Sequence, residues 1–495
     1  MIPNPEHMKI SKGEFVYSDA TVFSEEALKY KKFLPKTDGA GGGRVIYEQV
    51  QREGYRLTVD EKGIKVEAAD DESFFWATMS LKYMLLTSSA LPFVEIEDKP
   101  RFAYRGFMLD TARHFFGVDF IKKVIDALAL FKFNRLHLHL SDDQGFRFGS
   151  EKFEKLVEVG SKREGTRGDK IEHGGYYTKS ELIELVKYAA ERHIEIIPEV
   201  DIPAHTGAVL ASYPNLSCAG KAKKVDEFFG ILGHTLCAGK EETYKFLFEL
   251  FDEIIEVFPS EYIHIGGDES DLSVWSRCPD CQKTKNEYNL KSNTELKELM
   301  LRRVECHLKD RGRKVICWND AIKCVSDEAV CQFWQGKLKE TLAFADKGGK
   351  VIVSKFSPYY LDYPHGMHSL KAVYEFNPIL DGLSSDGVKN VIGVEAPLWT
   401  EFVDSESKAF RQMFPRLLAL AERAWSQNPN YDRFISEIGV ALNALSKCGY
   451  EYTPIEKANP KKIEGVLETV KFGLNLLDKT TFPSLIRAAK AKNKK

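Results

Sequence analysis

Tyr262-Ile263-His264-Ile265-Gly266-Gly267-Asp268-Glu269-Ser270 is a short apolar run that ends in two glycines and two adjacent carboxylates. The run reads as a buried strand. Neighbouring side chains on a regular strand point to opposite faces. Glycine relaxes that constraint, so Asp268 and Glu269 can both face one cleft. Two carboxylates in one pocket acquire different pKa values, which is the condition for acid/base work. Taken alone, the stretch also reads as a plain turn into a helix with an acid-rich N-terminus.

The same pattern, an apolar run followed by polar residues, recurs on both sides of this stretch. Strands are expected at Gly106–Asp110, Arg135–Ser141, Ile194–Val200, Tyr262–Ile265, Lys314–Trp318, Val330–Trp334, Lys350–Ser354 and Val391–Val394. Helical periodicity falls between them, at Val118–Phe131, Ser180–Arg192, Glu241–Val257, Thr294–Lys309 and Ser407–Ala424. Eight strands alternating with helices predict a closed (β/α)8 barrel. An open doubly wound sheet would want a glycine-rich phosphate loop after its first strand, and none is there. Before the barrel, Tyr55–Val59 and Gly63–Glu67 alternate as half-buried strands, and Glu72–Leu86 has helical spacing. The fold class is therefore α/β: a small α+β domain over 1–98, a (β/α)8 barrel over 99–430 and a short helical C-terminal tail over 431–495. The tail reads as one or two helices joined by Asn459-Pro460 from Glu451 onward.

Composition narrows the function. Charged residues make up 29% and the net charge is −3, so nothing favours a nucleic-acid partner or an anionic membrane. The basic end, Arg487 to Lys495, reads as a solvated terminus. No stretch is long and apolar enough for a membrane span. Met1 to His7 show neither a basic n-region nor an apolar h-region, which makes the chain cytoplasmic as it stands. A trimmed leader would make it secreted or periplasmic. Nine cysteines are scattered along the chain. Cys278-Pro279-Asp280-Cys281 is a lone pair; a zinc site needs a second pair or histidines at ligand spacing, and the neighbouring sequence supplies neither. No metal and no cofactor are expected. Cys218 and Cys237 flank a loop and could bridge in an oxidising compartment.

In a barrel of this kind the C-terminal strand ends carry function. Those ends bear Asp110 with Arg113 and His114, Asp142 with Asp143, Asp201 with His205, Asp268 with Glu269, Trp318 with Asp320, Trp334, Tyr360 with Asp362, and Glu395 with Trp399 and Glu401. Carboxylates, one arginine, histidines, a tyrosine and three tryptophans would converge on one mouth. Aromatic faces beside acidic acceptors suit a sugar, with its apolar C–H face and its rim of hydroxyls. They suit a phosphate poorly, because an anion wants more than one cation. Each member has a structural alternative: Arg113 as the ion-pair partner of Asp110 or Asp142, the tryptophans as core caps, and His137 and His139 as hydrogen-bonded residues of the barrel interior.

These strings resemble family 20 of the glycoside hydrolases, the β-N-acetylhexosaminidases. The resemblance rests on Tyr104-Arg105-Gly106-Phe107-Met108-Leu109-Asp110 through Arg113-His114, on His137-Leu138-His139-Leu140-Ser141-Asp142-Asp143-Gln144-Gly145, and on Pro198-Glu199-Val200-Asp201-Ile202-Pro203-Ala204-His205. It continues through His264-Ile265-Gly266-Gly267-Asp268-Glu269 and Glu395-Ala396-Pro397-Leu398-Trp399-Thr400-Glu401. The strings keep the family's order over roughly residues 100 to 430. The resemblance implies a retaining exo-acting enzyme for terminal β-linked GlcNAc, and GalNAc as a second substrate. Relaxed or endo-acting turnover, and a carbohydrate-binding barrel without turnover, are the alternatives. It implies substrate-assisted catalysis through an oxazolinium ion, with Glu269 as general acid/base and Asp268 bracing the acetamido group. Arg113, Asp362 and Glu401 match groups that hold sugar hydroxyls, and Tyr360 matches a donor to the acetamido oxygen. Trp318, Trp334 and Trp399 match pocket walls, while Asp142 and His205 match residues that tune Glu269, with His139 behind Asp142. Barrels of the family are often homodimers, and the sequence shows no exposed stripe that supports one here. The chain departs from the family pattern at Ala204, where glycine is usual, and at Phe146, where tryptophan is usual. It also lacks a tryptophan between Asp362 and Pro378, a gap that His365, His368 or Leu370 could fill.

Overall fold

The computed structural model describes residues 1–37, 41–221 and 223–476. Six strands open the chain: β1 (His7–Val16), β2 (Val22–Phe23), β3 (Arg44–Gln49), β4 (Tyr55–Asp60), β5 (Gly63–Ala68) and β6 (Ala90–Asp98). They form one mixed sheet in the order β1-β6-β4-β5-β3-β2. Alternating burial along β4 leaves Tyr55, Leu57 and Val59 inside, and the helix Asp71–Thr87 lies against that sheet with Phe74, Phe75, Ala77 and Leu81 buried. The side chain of Asp70 caps this helix by accepting from the Ser73 N–H at 2.8 Å.

The eight strands that follow close into a parallel barrel. They are β7 (Tyr104–Asp110), β8 (Arg135–His139), β9 (Glu195–Glu199), β10 (Tyr262–His264), β11 (Lys314–Trp318), β12 (Val330–Phe333), β13 (Lys350–Val353) and β14 (Val391–Leu398), with β14 pairing back to β7. Both faces of these strands are covered, so they read as continuous apolar runs. The interior fills in layers two residues apart. Tyr104, Ile197, Ile316, Val330 and Ile352 form an apolar floor separate from the main core. Above that floor buried polar residues take over from the apolar side chains: His137, His139, Glu199, His264, Gln332 and Glu395, with Trp318 among them.

A buried knot joins the first sheet to the barrel. Asp98, at the end of β6, pairs with Lys132 at 2.8 Å and accepts from Tyr55 Oη at 2.9 Å and from Trp425 Nε1 at 2.9 Å. Trp76 meets Trp425 edge-on. The helix Tyr431–Lys447 continues this contact surface by packing on Asp71–Thr87.

Two expectations need correction, one on a helix and one on cysteine, and a reading of the tail stands between them. The predicted helix Ser407–Ala424 is two helices, Glu406–Met413 and Arg416–Trp425. Pro415 lacks an N–H and forces the preceding Phe414 into an extended conformation (φ −106°, ψ 138°), which breaks the helical hydrogen-bond ladder. In the tail, Asn459-Pro460 does separate two helices, Ile455–Ala458 and Lys462–Leu476, but the basic end Arg487–Lys495 lies outside the described residues. The second correction concerns cysteine. The second pair missing beside Cys278 and Cys281 in the sequence is supplied in space by Cys218 and Cys237. The four sulfurs lie within 4.8 Å of one another, because the long loop after β9 folds against the segment after β10. None of the nine cysteines forms a disulfide.

Candidate functional site

Backbone geometry at the end of β10 brings the two adjacent acids to one cleft. Gly266 and Gly267 both have positive φ (64° and 102°), and Glu269 itself sits at φ +38°. Glycine suits position 266 on two counts: its φ is positive, and a Cβ there would stand 1.8 Å from Asp201 Oδ1 unless that side chain shifted. That close approach lets Asp201 accept the Gly267 N–H at 2.9 Å. From the other side the buried Lys297 Nζ donates to the Gly267 carbonyl at 2.6 Å. The turn that carries Asp268 and Glu269 is thus clamped through both backbone polar groups of Gly267.

Burial and the charge of Asp268 push Asp201 well above the usual carboxylate range. Asp201 therefore keeps its proton and can donate it to Asp268. The other oxygen of Asp268, Oδ1, is buried and has no partner. Glu269 is raised to about 7, by burial first and by the Asp268 charge second, against the opposing pull of His205 and Arg113. A carboxyl that still holds its proton near neutrality is equipped to act as an acid.

Behind this pair runs a chain of buried charges. His205 Nε2 lies 3.8 Å from Glu269 and His205 Nδ1 lies 3.2 Å from Asp142. Asp142 also meets Arg113 Nη2 at 2.7 Å and His139 Nε2 at 2.8 Å. Burial alone would raise Asp142, but Arg113, His205 and His139 hold it far below the usual range. His205 is raised well above its ordinary value against its own burial, by Asp142 above all, so it is a cation. His139 reaches about 10, raised by Glu199 and Asp142 against burial. Arg113 is the ion-pair partner of both Asp142 and Asp110, the latter at 3.3 Å, and its guanidinium lies 4.8 Å over the Trp399 ring.

The aromatic members meet as expected. Trp318, Trp334 and Tyr360 form one buried cluster, with Trp399, Phe356 and Tyr363 against it. Trp334 stacks on Tyr360 at 6.1 Å, and Trp399 lies 6.0 Å from Trp318 and 6.2 Å from Tyr360. Each buried indole spends its N–H on a carboxylate: Trp318 on Glu199 at 2.9 Å, Trp334 on Asp320 at 2.8 Å. Asp362 and Glu401 are half-buried neighbours. Burial raises both, Asp362 further through the charge of Glu401, and Asp362 Oδ1 has no partner.

Several contributors carried no assigned role in the sequence reading. Glu199 is fully buried and accepts from Trp318. It also meets His139, His264 Nδ1 at 2.8 Å and His137 Nε2 at 3.1 Å. Its signal was an acid inside the apolar run Ile194–Val200. Lys297 was legible only as a lysine on the buried face of its helix, with Met300, Leu301 and Val304 three, four and seven residues on. At the position of the absent tryptophan, Leu370 is in the main core and His368 Nδ1 donates to the Tyr360 carbonyl at 2.8 Å. Tyr363 stands at the mouth, where the charges of Asp362, Glu401 and Glu269 raise it further after burial. Phe472 of the helix Lys462–Leu476 packs on it at 5.4 Å.

Comparison with known proteins adds a family. The model described as "Glycosyl hydrolase family 20, catalytic domain" matches residues 102–428, and "Glycosyl hydrolase family 20, domain 2" matches 25–99. A "Beta-hexosaminidase" of Porphyromonas gingivalis is 35% identical over 91% of this chain; the chain spans 64% of that relative's length. Among solved structures, a GH20 exo β-N-acetylglucosaminidase from Vibrio harveyi in complex with N-acetylglucosamine superposes with a TM-score of 0.83. It is 28% identical and covers 92% of this chain and 78% of its own. A β-N-acetylhexosaminidase from Bacteroides fragilis gives a TM-score of 0.81 at 31% identity, covering 93% of this chain and 99% of its own.

Proposed function

The chain belongs to glycosyl hydrolase family 20, and from that premise we propose that it is a retaining exo-acting β-N-acetylhexosaminidase that removes terminal β-linked GlcNAc by substrate-assisted catalysis. One observation carries the reading: Glu269, held protonated to about 7, stands beside Asp268, whose buried Oδ1 has no partner, next to the cluster of Trp318, Trp334, Tyr360 and Trp399.

The chemistry follows from those groups. The free Oδ1 of Asp268 accepts the acetamido N–H of the sugar, and the hydroxyl of Tyr360 donates to the acetamido oxygen. The two hold that oxygen against C1, so the attack is intramolecular and its geometry is set in advance. As the C1–oxazolinium bond forms, Glu269 gives its proton to the departing oxygen. Asp268 then balances the positive charge on the ring nitrogen. Glu269, now a carboxylate, takes a proton from water, which opens the ring at C1 and leaves the sugar with its original configuration. Arg113, Asp362 and Glu401 supply one donor group and two acceptors for the outer hydroxyls.

Two alternatives receive less support. An endo-acting groove needs an open side where the tryptophan is absent, and Tyr363 backed by Phe472 occupies that side. A binding module without turnover has no use for a carboxyl tuned to about 7. Release of nitrophenol from its β-GlcNAc glycoside is expected to exceed release from the β-glucoside by orders of magnitude. Equal rates on the two glycosides would remove the acetamido group from the mechanism and overturn the proposal.

A further inference from the structure

Outside the cleft, the described residues hold one cluster of metal-ligating side chains that the reaction does not use. Cys218 and Cys237 come from the loop between β9 and the helix Glu241–Val257, and Cys278 and Cys281 from the segment after β10. Cys237 Sγ lies 3.6 Å from Cys281 Sγ and 3.7 Å from Cys278 Sγ, and Cys218 Sγ lies 3.9 Å from Cys281 Sγ. Four thiolates at about 2.3 Å from a tetrahedral zinc ion stand about 3.8 Å apart. A disulfide would need about 2.0 Å. From the cluster's spacing we propose that Cys218, Cys237, Cys278 and Cys281 bind one structural zinc ion.

The surroundings are built for it. Leu236 and Ser217 form an antiparallel bridge, and the Cys237 N–H donates to the Leu216 carbonyl at 2.8 Å, which sets the first two cysteines side by side. Cys278 is the N-cap residue of the helix Pro279–Glu287 and Cys281 lies in its first turn, so one helix end carries both. The two halves touch through Gly239: a Cβ there would stand 2.2 Å from the Cys281 backbone nitrogen, so only glycine lets the loops close. Trp275 Nε1 donates to the Leu236 carbonyl at 2.9 Å, tying the segment after β10 to the cysteine-bearing loop. Lys240 Nζ donates to the Ser217 carbonyl at 2.8 Å and brings positive charge near a site that would carry two excess negative charges. Cys237, Cys278 and Cys281 are buried. Four protein ligands leave no open position, so the ion is a brace and takes no part in turnover. It joins the loop that follows His205 to the segment that follows Asp268 and Glu269.

The test is metal content of the full chain purified under reducing conditions without chelator. About one zinc per chain is expected, released by a mercurial reagent together with four protected thiols. Cys278→Ser and Cys281→Ser are expected to lose the zinc, and Cys306→Ser, an exposed thiol outside the cluster, to keep it. Should the cluster variants fail to fold, the metal content and thiol protection of the unaltered chain decide alone. A metal-free chain whose four cysteines alkylate freely overturns the proposal, and so does a chain in which mass spectrometry finds these cysteines joined as disulfides. Neither outcome bears on Glu269 or on the hydrolase reading.

Discussion

Glu269 and His205 face each other across 3.8 Å, and both hold left-handed backbone conformations, φ +38° and +54°. Side chains with a Cβ adopt such angles only where the surroundings impose them. Here the two strained residues lie in the loops that follow the neighbouring strands β9 and β10, and an imidazolium faces the carboxyl it must restrain. His205 lowers Glu269, while burial and Asp268 raise it, and the balance falls at about 7.

The alkaline limb of turnover therefore reports Glu269. kcat/KM on natural glycosides should fall as pH rises through about 7. Glu269→Gln should lose roughly 10²–10⁴-fold in kcat on substrates with poor leaving groups while still binding product. The linkage sign is also fixed. A carboxyl whose folded pKa is raised contributes stability at low pH that is lost as pH rises through about 7. The melting temperature of Glu269→Gln should match that of the unaltered chain below the ordinary carboxyl range and gain on it as pH rises from there to about 7, with no further gain above. A gain that shrinks as pH rises over that window contradicts this.

His205→Asn tests the restraint directly. Asparagine tolerates the left-handed backbone, so the loop should persist. With the cation gone, the alkaline limb of kcat/KM should move to higher pH. A shift to lower pH, measured on the same substrate, would show that His205 does not act on Glu269 through charge.

Gly266→Ala and Gly312→Ala form a matched pair. Both glycines have similar positive φ, 64° and 70°, but a Cβ on Gly312 would meet nothing within 4 Å. Gly312→Ala should cost about 1–2 kcal/mol, the backbone penalty alone. Gly266→Ala adds the clash with Asp201, about 1–3 kcal/mol more, and should lower kcat by displacing Asp268 and Glu269. Chemical denaturation of the two variants, side by side, isolates the clash; equal losses would mean that Asp201 simply moves aside.

Lys297→Met removes the donor to the Gly267 carbonyl and keeps most of the volume. Stability should change by less than about 1.5 kcal/mol, because a buried ammonium is lost along with its hydrogen bond. Steady-state kinetics should show a fall in kcat of about tenfold or more from misplacement of the pair, with KM little changed. An unchanged kcat would mean that Asp201 alone suffices to hold the turn.

What the amino-acid order determined by itself is local or repetitive. Eight apolar runs with helical segments between them specify a barrel, since period and spacing are properties of the chain. The polar residue after each run reaches the mouth because parallel strands end on one side. This is how Arg113, Asp142, His205, Trp318, Trp334, Tyr360, Trp399, Asp268 and Glu269 were legible as one site. The tertiary structure decided what depends on separation in the chain. Glu199 gathers three histidines and an indole from three other strands. Lys297 supports a carbonyl thirty residues away. Cys218 and Cys237 meet a pair that looked alone because the neighbours that matter lie 63 and 44 positions off. A buried polar group must find a partner, but the sequence names only the need. Which group answers it is settled when the barrel closes.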